Sequence, residues 1–323
     1  MPRCPGRAIA LACALALLIA AGVQADAPAP VEQAPLEELS RLTLNHPDPR
    51  FGGLSGLVIT ADGTKITMVS DRGPMIAANL LREGDRITGI DGVRFFLMRT
   101  EKGNPITGYR GNAEGLAWNG RGGHLVSFEG WHRIRDHPSP EARGLLGYDC
   151  PGFPALQMNS GLEALARDPA GTVYAIPERS GAWARPFPVW RIRNGSCDTK
   201  LQIPRRGSFL VTGADIGPDG RLYLLERHFA LLGFATRIRA FTLTGDRLTD
   251  EETLLETGLG ALGNMEGIAS WRDATGAIRL LILADDNFSV FQTSLMVEYR
   301  LRPARPAPIR PTPRPDRPSD AAN

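Results

Sequence analysis

Carboxylates recur in this chain at repeating positions. Five segments share one pattern, an apolar run, a turn, a second apolar run and then an acid: GLSGLVITADGTKITMVSDRG (53–73), NAEGLAWNGRGGHLVSFEG (112–130), SGLEALARDPAGTVYAIPERSG (160–181), LVTGADIGPDGRLYLLERH (210–228) and NMEGIASWRDATGAIRLLILADDN (264–287). The slot opening the first run holds Ser55, Glu114, Glu163, Thr212 and Glu266. The slot closing the second run holds Asp71, Glu129, Glu178, Glu226 and the pair Asp285-Asp286. If each segment is a hairpin, its opening and closing slots share one edge, so all these acids gather on one face. Carboxylates brought that close repel, and protonation, arginine or a cation must neutralise them. An all-oxygen ligand set suits a hard cation such as Ca²⁺, and Asn112, Asn264 and Asn287 add neutral oxygens nearby.

Arginine follows the acid directly in three segments, at Arg72, Arg179 and Arg227. Forked guanidinium donors match phosphate and carboxylate oxygens. Neighbouring strand residues point to opposite faces, so acid and arginine face the same way only where the strand has ended. The resulting assignment makes Glu114, Glu163 and Glu266 catalytic candidates and Asp71, Glu129, Glu178, Glu226, Asp285 and Asp286 calcium ligands. Arg72, Arg179, Arg227 and His228 would meet the substrate, with His132 a weaker second histidine. A competing reading stays open: such rings also arise as scaffold, with each acid capping an amide or pairing with an adjacent arginine.

The elements that must position these residues are strands. Gly63, Gly123, Gly171, Gly220 and Gly276 mark the turns between paired apolar runs, a hairpin signal. A weaker third strand follows, clearest at Val93–Met98, Val189–Arg193, Thr236–Leu243 and Leu295–Leu301. Repeat starts lie roughly 50 to 60 residues apart, the spacing of four-stranded propeller blades. The predicted fold is therefore all-β, an antiparallel β-propeller of five blades. An N-terminal strand near Leu39–Leu44 would close the ring beside Leu295–Leu301. Six blades stay open, because the irregular stretch Ile134–Gln157 has room to hide a degenerate one. The aromatics Phe51, Trp131, Trp183 and Trp271 read as packing residues.

Both ends read as lying outside this fold. Arg3 and Arg7 precede an apolar run from Ala8 to Val23, then small residues before Asp26. That pattern predicts a secretory signal peptide over 1–25, a linker over 26–37 and a periplasmic or secreted protein without stable membrane insertion after cleavage. The propeller would occupy 38–301, and the Pro/Arg-rich stretch 302–323 reads as a disordered tail. With both charged ends set aside, the formal charge of +2 becomes −3 on the body. No basic stripe argues for nucleic acid. Cys150 and Cys197 are the pair left after the leader, expected as a disulfide in an oxidising compartment. Neither a GxSxG elbow, a P-loop, a dinucleotide fingerprint, HExxH nor CxxC occurs. Asn194-Gly195-Ser196 matches the short glycosylation pattern.

Taken in order, GLSGL…SDRG, NAEGLA…SFE, LEALA…AIPER, PDGRLYLLER and NMEGIA…LADDN resemble the bacterial phytase-like family, also described as "esterase-like activity of phytase" proteins. The resemblance runs over roughly residues 50 to 300. It implies a β-propeller and export. Through distant kinship with β-propeller phytases, it also implies calcium-assisted hydrolysis of phosphate esters or related esters, with a small-molecule substrate. The Asp-Asp-Pro calcium motif of those phytases is missing, and Asp285-Asp286-Asn287 is the nearest stretch. The alternative is a non-catalytic propeller that binds a ligand or envelope partner, its acidic ring structural. Oligomeric state is open.

Overall fold

The structure, a computed structural model, describes residues 35–231 and 233–303. The leader read over 1–25 and all but the first residues of the tail lie outside them. The first strand, β1, spans Leu36–Thr43. It begins two residues before the expected start of the propeller at 38.

Nineteen further strands follow in five groups. Blade 1 holds β2 (Leu54–Ile59), β3 (Lys65–Ser70), β4 (Pro74–Glu83) and β5 (Arg86–Leu97). Blade 2 holds β6 (Ala113–Trp118), β7 (His124–Phe128), β8 (Arg133–His137) and β9 (Leu145–Tyr148). In blade 3 are β10 (Leu162–Arg167), β11 (Val173–Pro177), β12 (Phe187–Arg193) and β13 (Ser196–Ile203). Blade 4 contains β14 (Leu210–Ile216), β15 (Arg221–Ala230), β16 (Gly233–Thr244) and β17 (Arg247–Glu256). Blade 5 has β18 (Asn264–Arg272), β19 (Ile278–Asp285) and β20 (Leu295–Leu301), and β1 pairs antiparallel with β20 as its fourth strand. The chain thus closes its own ring, as the Leu39–Leu44 expectation required. Across this seam the buried Glu298 carboxylate of β20 accepts from Arg82 of β4 at 3.0 Å and from Ser40 of β1 at 3.2 Å.

Five blades is the observed count. Ile134–Gln157 holds no sixth: it contains most of β8, all of β9 and a short 3-10 turn, Phe153–Ala155, and so completes blade 2. Val93–Met98 falls mostly in β5, the fourth strand of its blade, because β4 was not recognised in the sequence. The turn glycines carry positive φ as expected, except in blade 2, where Gly120 and Gly122 take that role. Gly123 instead donates its N–H to Asn119 Oδ1 at 2.9 Å.

Burial explains the ring. Five apolar clusters fill the seams between neighbouring blades, for example Val58, Val69 and Met75 of blade 1 against Leu116 and Val126 of blade 2. An isolated blade would leave these faces wet, at a cost of about 2 kcal/mol for each large aliphatic side chain. At the axis the innermost strands β2, β6, β10, β14 and β18 touch directly. A Cβ on Gly56 would stand 2.6 Å from the Leu116 backbone nitrogen, and one on Gly267 would stand 2.6 Å from the Ser55 carbonyl oxygen. Glycine just after the repeated acid slot lets the strands converge.

Candidate functional site

Each innermost strand carries a one-residue register shift near its start, between Leu54 and Leu57, Ala113 and Leu116, Leu162 and Ala164, Val211 and Gly213, and Met265 and Gly267. These β-bulges bracket Ser55, Glu114, Glu163, Thr212 and Glu266. A bulge re-aims a side chain that regular alternation would send elsewhere. The second strands β3, β7 and β11 stop at Ser70, Phe128 and Pro177, one residue before Asp71, Glu129 and Glu178. In these three blades the strand has ended before the acid, as the adjacent acid and arginine of blades 1 and 3 required.

The gathered groups form three sectors. In the first, carboxylate oxygens of Glu114, Glu129 and Glu163 lie within 4.8 Å of one another. Glu129 accepts from Asn112 Nδ2 at 2.8 Å and from the Gly161 amide at 3.0 Å. His132 packs against Gly161, where an added Cβ would stand 2.0 Å from its ring. Glu114 and Glu163 have no ion-pair partner among the described residues. Burial first, then Glu266 and Glu129, raise the Glu114 carboxyl well above its usual range, against the Ser55 hydroxyl. Glu163 is raised in the same way by burial and then by Glu114 and Glu129. Burial also lifts Glu129, opposed by the Gly161 N–H.

The second sector is self-neutralised. Arg227 donates to Glu178 Oε1 at 3.1 Å and at shorter range to Glu266 Oε1 and Asn264 Oδ1. Asn264 also donates to Glu266 Oε1 at 2.9 Å. Burial raises Glu266 to about 7 despite Arg227. Burial by itself would weaken the Arg227 charge, yet Glu266, Glu178 and Glu163 outweigh it and raise the group.

The third sector holds Asp71 and Asp285. Burial raises Asp71 against the pull of Arg72, and raises Asp285 to about 7 against the Asn287 amide. Asp71 Oδ1 and Glu266 Oε2 are buried polar atoms with no hydrogen-bond partner.

Two expected calcium ligands, Glu226 and Asp286, and the expected substrate residue His228 sit differently. Glu226 is fully buried, with both oxygens taken by Arg237 Nε at 2.7 Å and by Arg239 at 2.6 and 2.8 Å. The cause is that β15 continues to Ala230 instead of ending at the acid. Strand alternation then turns Glu226 away from the mouth and Arg227 into it. His228 follows Glu226 outward, its ring 5.8 Å from Phe209. Asp286 works as a loop cap, with Oδ1 accepting from the Gly53 and Phe288 amides at 3.0 Å each and Oδ2 from Ser294 at 3.1 Å. Of the arginines, Arg72 lies 3.4 Å over the Phe288 ring. Arg179 is half exposed and donates through Nε to Ser160 Oγ at 2.8 Å and Glu178 at 3.3 Å. The Glu226 network escaped the sequence reading, although Arg237 and Arg239 at i, i+2 on a third strand were a visible signal for it.

Cys150 and Cys197 form a disulfide with Cα atoms 5.8 Å apart, tying the connection between blades 2 and 3 to β13. Among the described residues no helix is long and apolar enough to cross a membrane.

Solved structures are similar to this chain at low identity. An α-L-arabinofuranosidase from Podospora anserina in complex with cellotriose matches with a TM-score of 0.51 at 13% identity, over 84% of this chain and 98% of that one. A gluconolactonase from Xanthomonas campestris matches with a TM-score of 0.45 at 13% identity, over 77% and 86% of the two chains. The PQQ-bound aldose sugar dehydrogenase from Streptomyces coelicolor gives 0.46 at 12% identity, over 82% and 99%. At 13% identity the arabinofuranosidase shows a shared fold alone, because one fold hosts many chemistries. No curated protein matches the chain. The signature of the phytase-like family, described as esterase-like activity of phytase, matches residues 49–288, nearly the whole ring, and the chain belongs to that family.

Proposed function

We propose that this chain is an exported, calcium-assisted hydrolase of phosphate esters or related esters, working at the acidic mouth. The observation that carries the reading is the first sector: three buried carboxylates within 4.8 Å, none of them with an ion-pair partner among the described residues. Like charges so placed are costly unless protonated or shared with a cation. Their oxygens, with the unpartnered Asp71 Oδ1 and Glu266 Oε2, fit a hard ion. Glu114, Glu129 and Glu163 would hold it, with Asp71 and Asp285 across the mouth. When bound, such an ion supplies polarisation of a phosphoryl or carbonyl oxygen and a lowered pKa for an attacking water.

The chain's own groups do the rest. Glu266, with a pKa raised to about 7, is suited to accept a proton from water and return it to the leaving oxygen. Arg179, half exposed and with only its Nε engaged, and Arg72 are available to substrate oxygens. Arg227 is committed to Glu178 and Glu266 and serves as an internal counter-charge. The disulfide and the N-terminal leader pattern support export to the periplasm or beyond.

The test is a metal analysis and calcium titration of the purified protein, followed by assays on phytate, an aryl phosphate, an aryl acetate and a lactone. Saturable calcium binding with calcium-dependent turnover supports the reading. Turnover of the acetate or lactone alone narrows it to carboxylic esters. A protein that takes up no cation after calcium is added is instead a binding propeller whose ring is scaffold. The saturated Glu226 and Asp286 support a scaffold role for part of the ring.

A further inference from the structure

A second cavity lies beside the acidic mouth, where blade 1 passes into blade 2. Its volume is about 370 Å³, and its wall contains Arg99, Arg110, Arg133, Arg135, Glu101 and Trp131. Its construction follows from local structure. The loop after β5 folds back on itself, with the Ile106 amide on the Met98 carbonyl at 2.9 Å and the Thr100 amide on the Asn104 carbonyl at 2.8 Å. This holds Arg99 on one side. Arg110 sits in a 3-10 turn, Gly108–Gly111, just before the blade 2 acid slot. Arg133 and Arg135, two apart on β8, share one face of the strand.

The charge in this pocket is unbalanced. Arg135 pairs with Asp149 at 3.0 Å, but Arg99, Arg110 and Arg133 have no ion pair among the described residues. Glu101 is the single carboxylate in the wall, so two positive charges remain uncompensated. Arg133 feels the excess: burial, then Arg135 and Arg110, push it down to about 10. Two carbonyls hold it in place, Trp131 at 2.9 Å and Arg110 at 2.5 Å. Arg110 stacks 4.4 Å over the Trp131 ring and makes no hydrogen bond through its own guanidinium among the described residues, so its forked donors are free. Trp131 is 61% exposed, an unusual position for a residue read as packing.

We infer that this pocket is a second ligand site, separate from the carboxylate cluster, for a small organic dianion such as a phosphate monoester or a dicarboxylate. The fork of Arg110, with the unpaired charges of Arg99 and Arg133 in the same wall, takes the oxygens, and the exposed Trp131 face covers the carbon skeleton. The cavity is of a size that takes small-molecule ligands. This site does not depend on the hydrolase reading, because its donors are all outside the acidic sectors.

The experiment titrates the full chain calorimetrically with inorganic phosphate, succinate and acetate, in EDTA at constant ionic strength. The expected result is saturable one-to-one binding of a dianion, about tenfold weaker in Arg110→Gln and in Arg133→Gln, with acetate at least as much weaker in the wild type. Binding should quench the fluorescence contributed by Trp131, identified by its loss in Trp131→Phe. Preference for phosphate marks a phosphate ester as the ligand, and preference for succinate marks a dicarboxylate. The Arg110 side chain makes no hydrogen bond among the described residues, and its carbonyl, which holds Arg133, is unchanged in the variant, so the substitution isolates the binding effect. No saturable binding, wild-type affinity in both arginine variants, or loss of binding in Glu163→Gln would overturn the assignment.

Discussion

Arg227 stands between Glu178 and Glu266 and donates to both, joining blades 3, 4 and 5 by one guanidinium at the channel mouth. It reaches that place because β15 runs four residues past Glu226. Blade 4 therefore offers a cation where blades 1, 2 and 3 offer an acid, and the ring is neutralised on one side only. Removing Arg227 leaves two buried carboxylates facing each other. Arg227→Gln is expected to lower stability by about 3 kcal/mol in EDTA. Arg179→Gln, half exposed, should change it by less than about 1 kcal/mol. Urea unfolding of the two variants side by side checks the contrast, and equal losses would refute it.

Glu163 separates the hydrolase reading from the scaffold reading. Its carboxyl is buried among other acids and raised by them, so in EDTA Glu163→Gln should be as stable as the wild type or more so. With calcium present the order reverses, because the variant lacks a ligand and its melting temperature no longer responds to the ion. Turnover, where present, falls by about 100-fold or more. A scaffold ring predicts the opposite in EDTA, a clear destabilisation by the same change. Thermal melts with and without calcium decide between them.

Glu226 predicts the reverse pattern. Its two oxygens are held by Arg237 and Arg239, and Arg239 continues to Glu251 at 2.7 Å. Glu226→Gln strips charge from a fully buried network and should cost about 3 to 5 kcal/mol. Calcium affinity of the folded variant should match that of the wild type. A change in affinity with unchanged stability would place Glu226 back at the mouth.

The disulfide is expected to act through the unfolded chain. Cys150 and Cys197 are separated by 47 residues, and closing a loop of that length stabilises by about 4 kcal/mol in the chain-entropy model. The double variant Cys150→Ser/Cys197→Ser should therefore lose roughly 2 to 4 kcal/mol. Calorimetric unfolding measures it, and an unaltered melting temperature would show that the bridge constrains nothing.

A buried histidine pair gives a pH signature. His124 of β7 and His137 of β8 are cross-strand partners, and burial lowers each to about 4. Charge repulsion from His137 adds to the effect on His124, while Asp136 and an Ala142 backbone contact oppose it at His137. The folded state thus favours the neutral ring. Stability from this source is complete above the unfolded value near 6.5 and is lost as pH falls toward 4. Raised carboxyls elsewhere in the chain act in the opposite sense, so the comparison must be internal. Relative to the wild type, His124→Leu should gain on the order of 3 kcal/mol between pH 7.5 and pH 4. A difference that stays constant across that range would contradict the assignment.

Much of this protein can be read along the chain because its fold is built from local pairings. Alternating apolar runs and turn glycines define hairpins without reference to distant residues, and five similar hairpins cannot bury their faces except against one another. Ring closure by the N-terminal strand was legible for the same reason, since one blade lacked a strand. Glu114, Glu129 and Glu163 came together as their slots required. What sequence could not decide is where each strand stops. Glu226-Arg227 and Glu178-Arg179 are the same dipeptide in the same slot, yet β11 ends at Pro177 and β15 runs on to Ala230. One register step exchanges inward and outward faces, so the tertiary structure alone made Glu226 a scaffold acid and Arg227 the cation of the mouth. Charge balance is also a three-dimensional property. Arg99, Arg110 and Arg133 are unremarkable at their separate positions, and only the meeting of two blades turns them into a pocket.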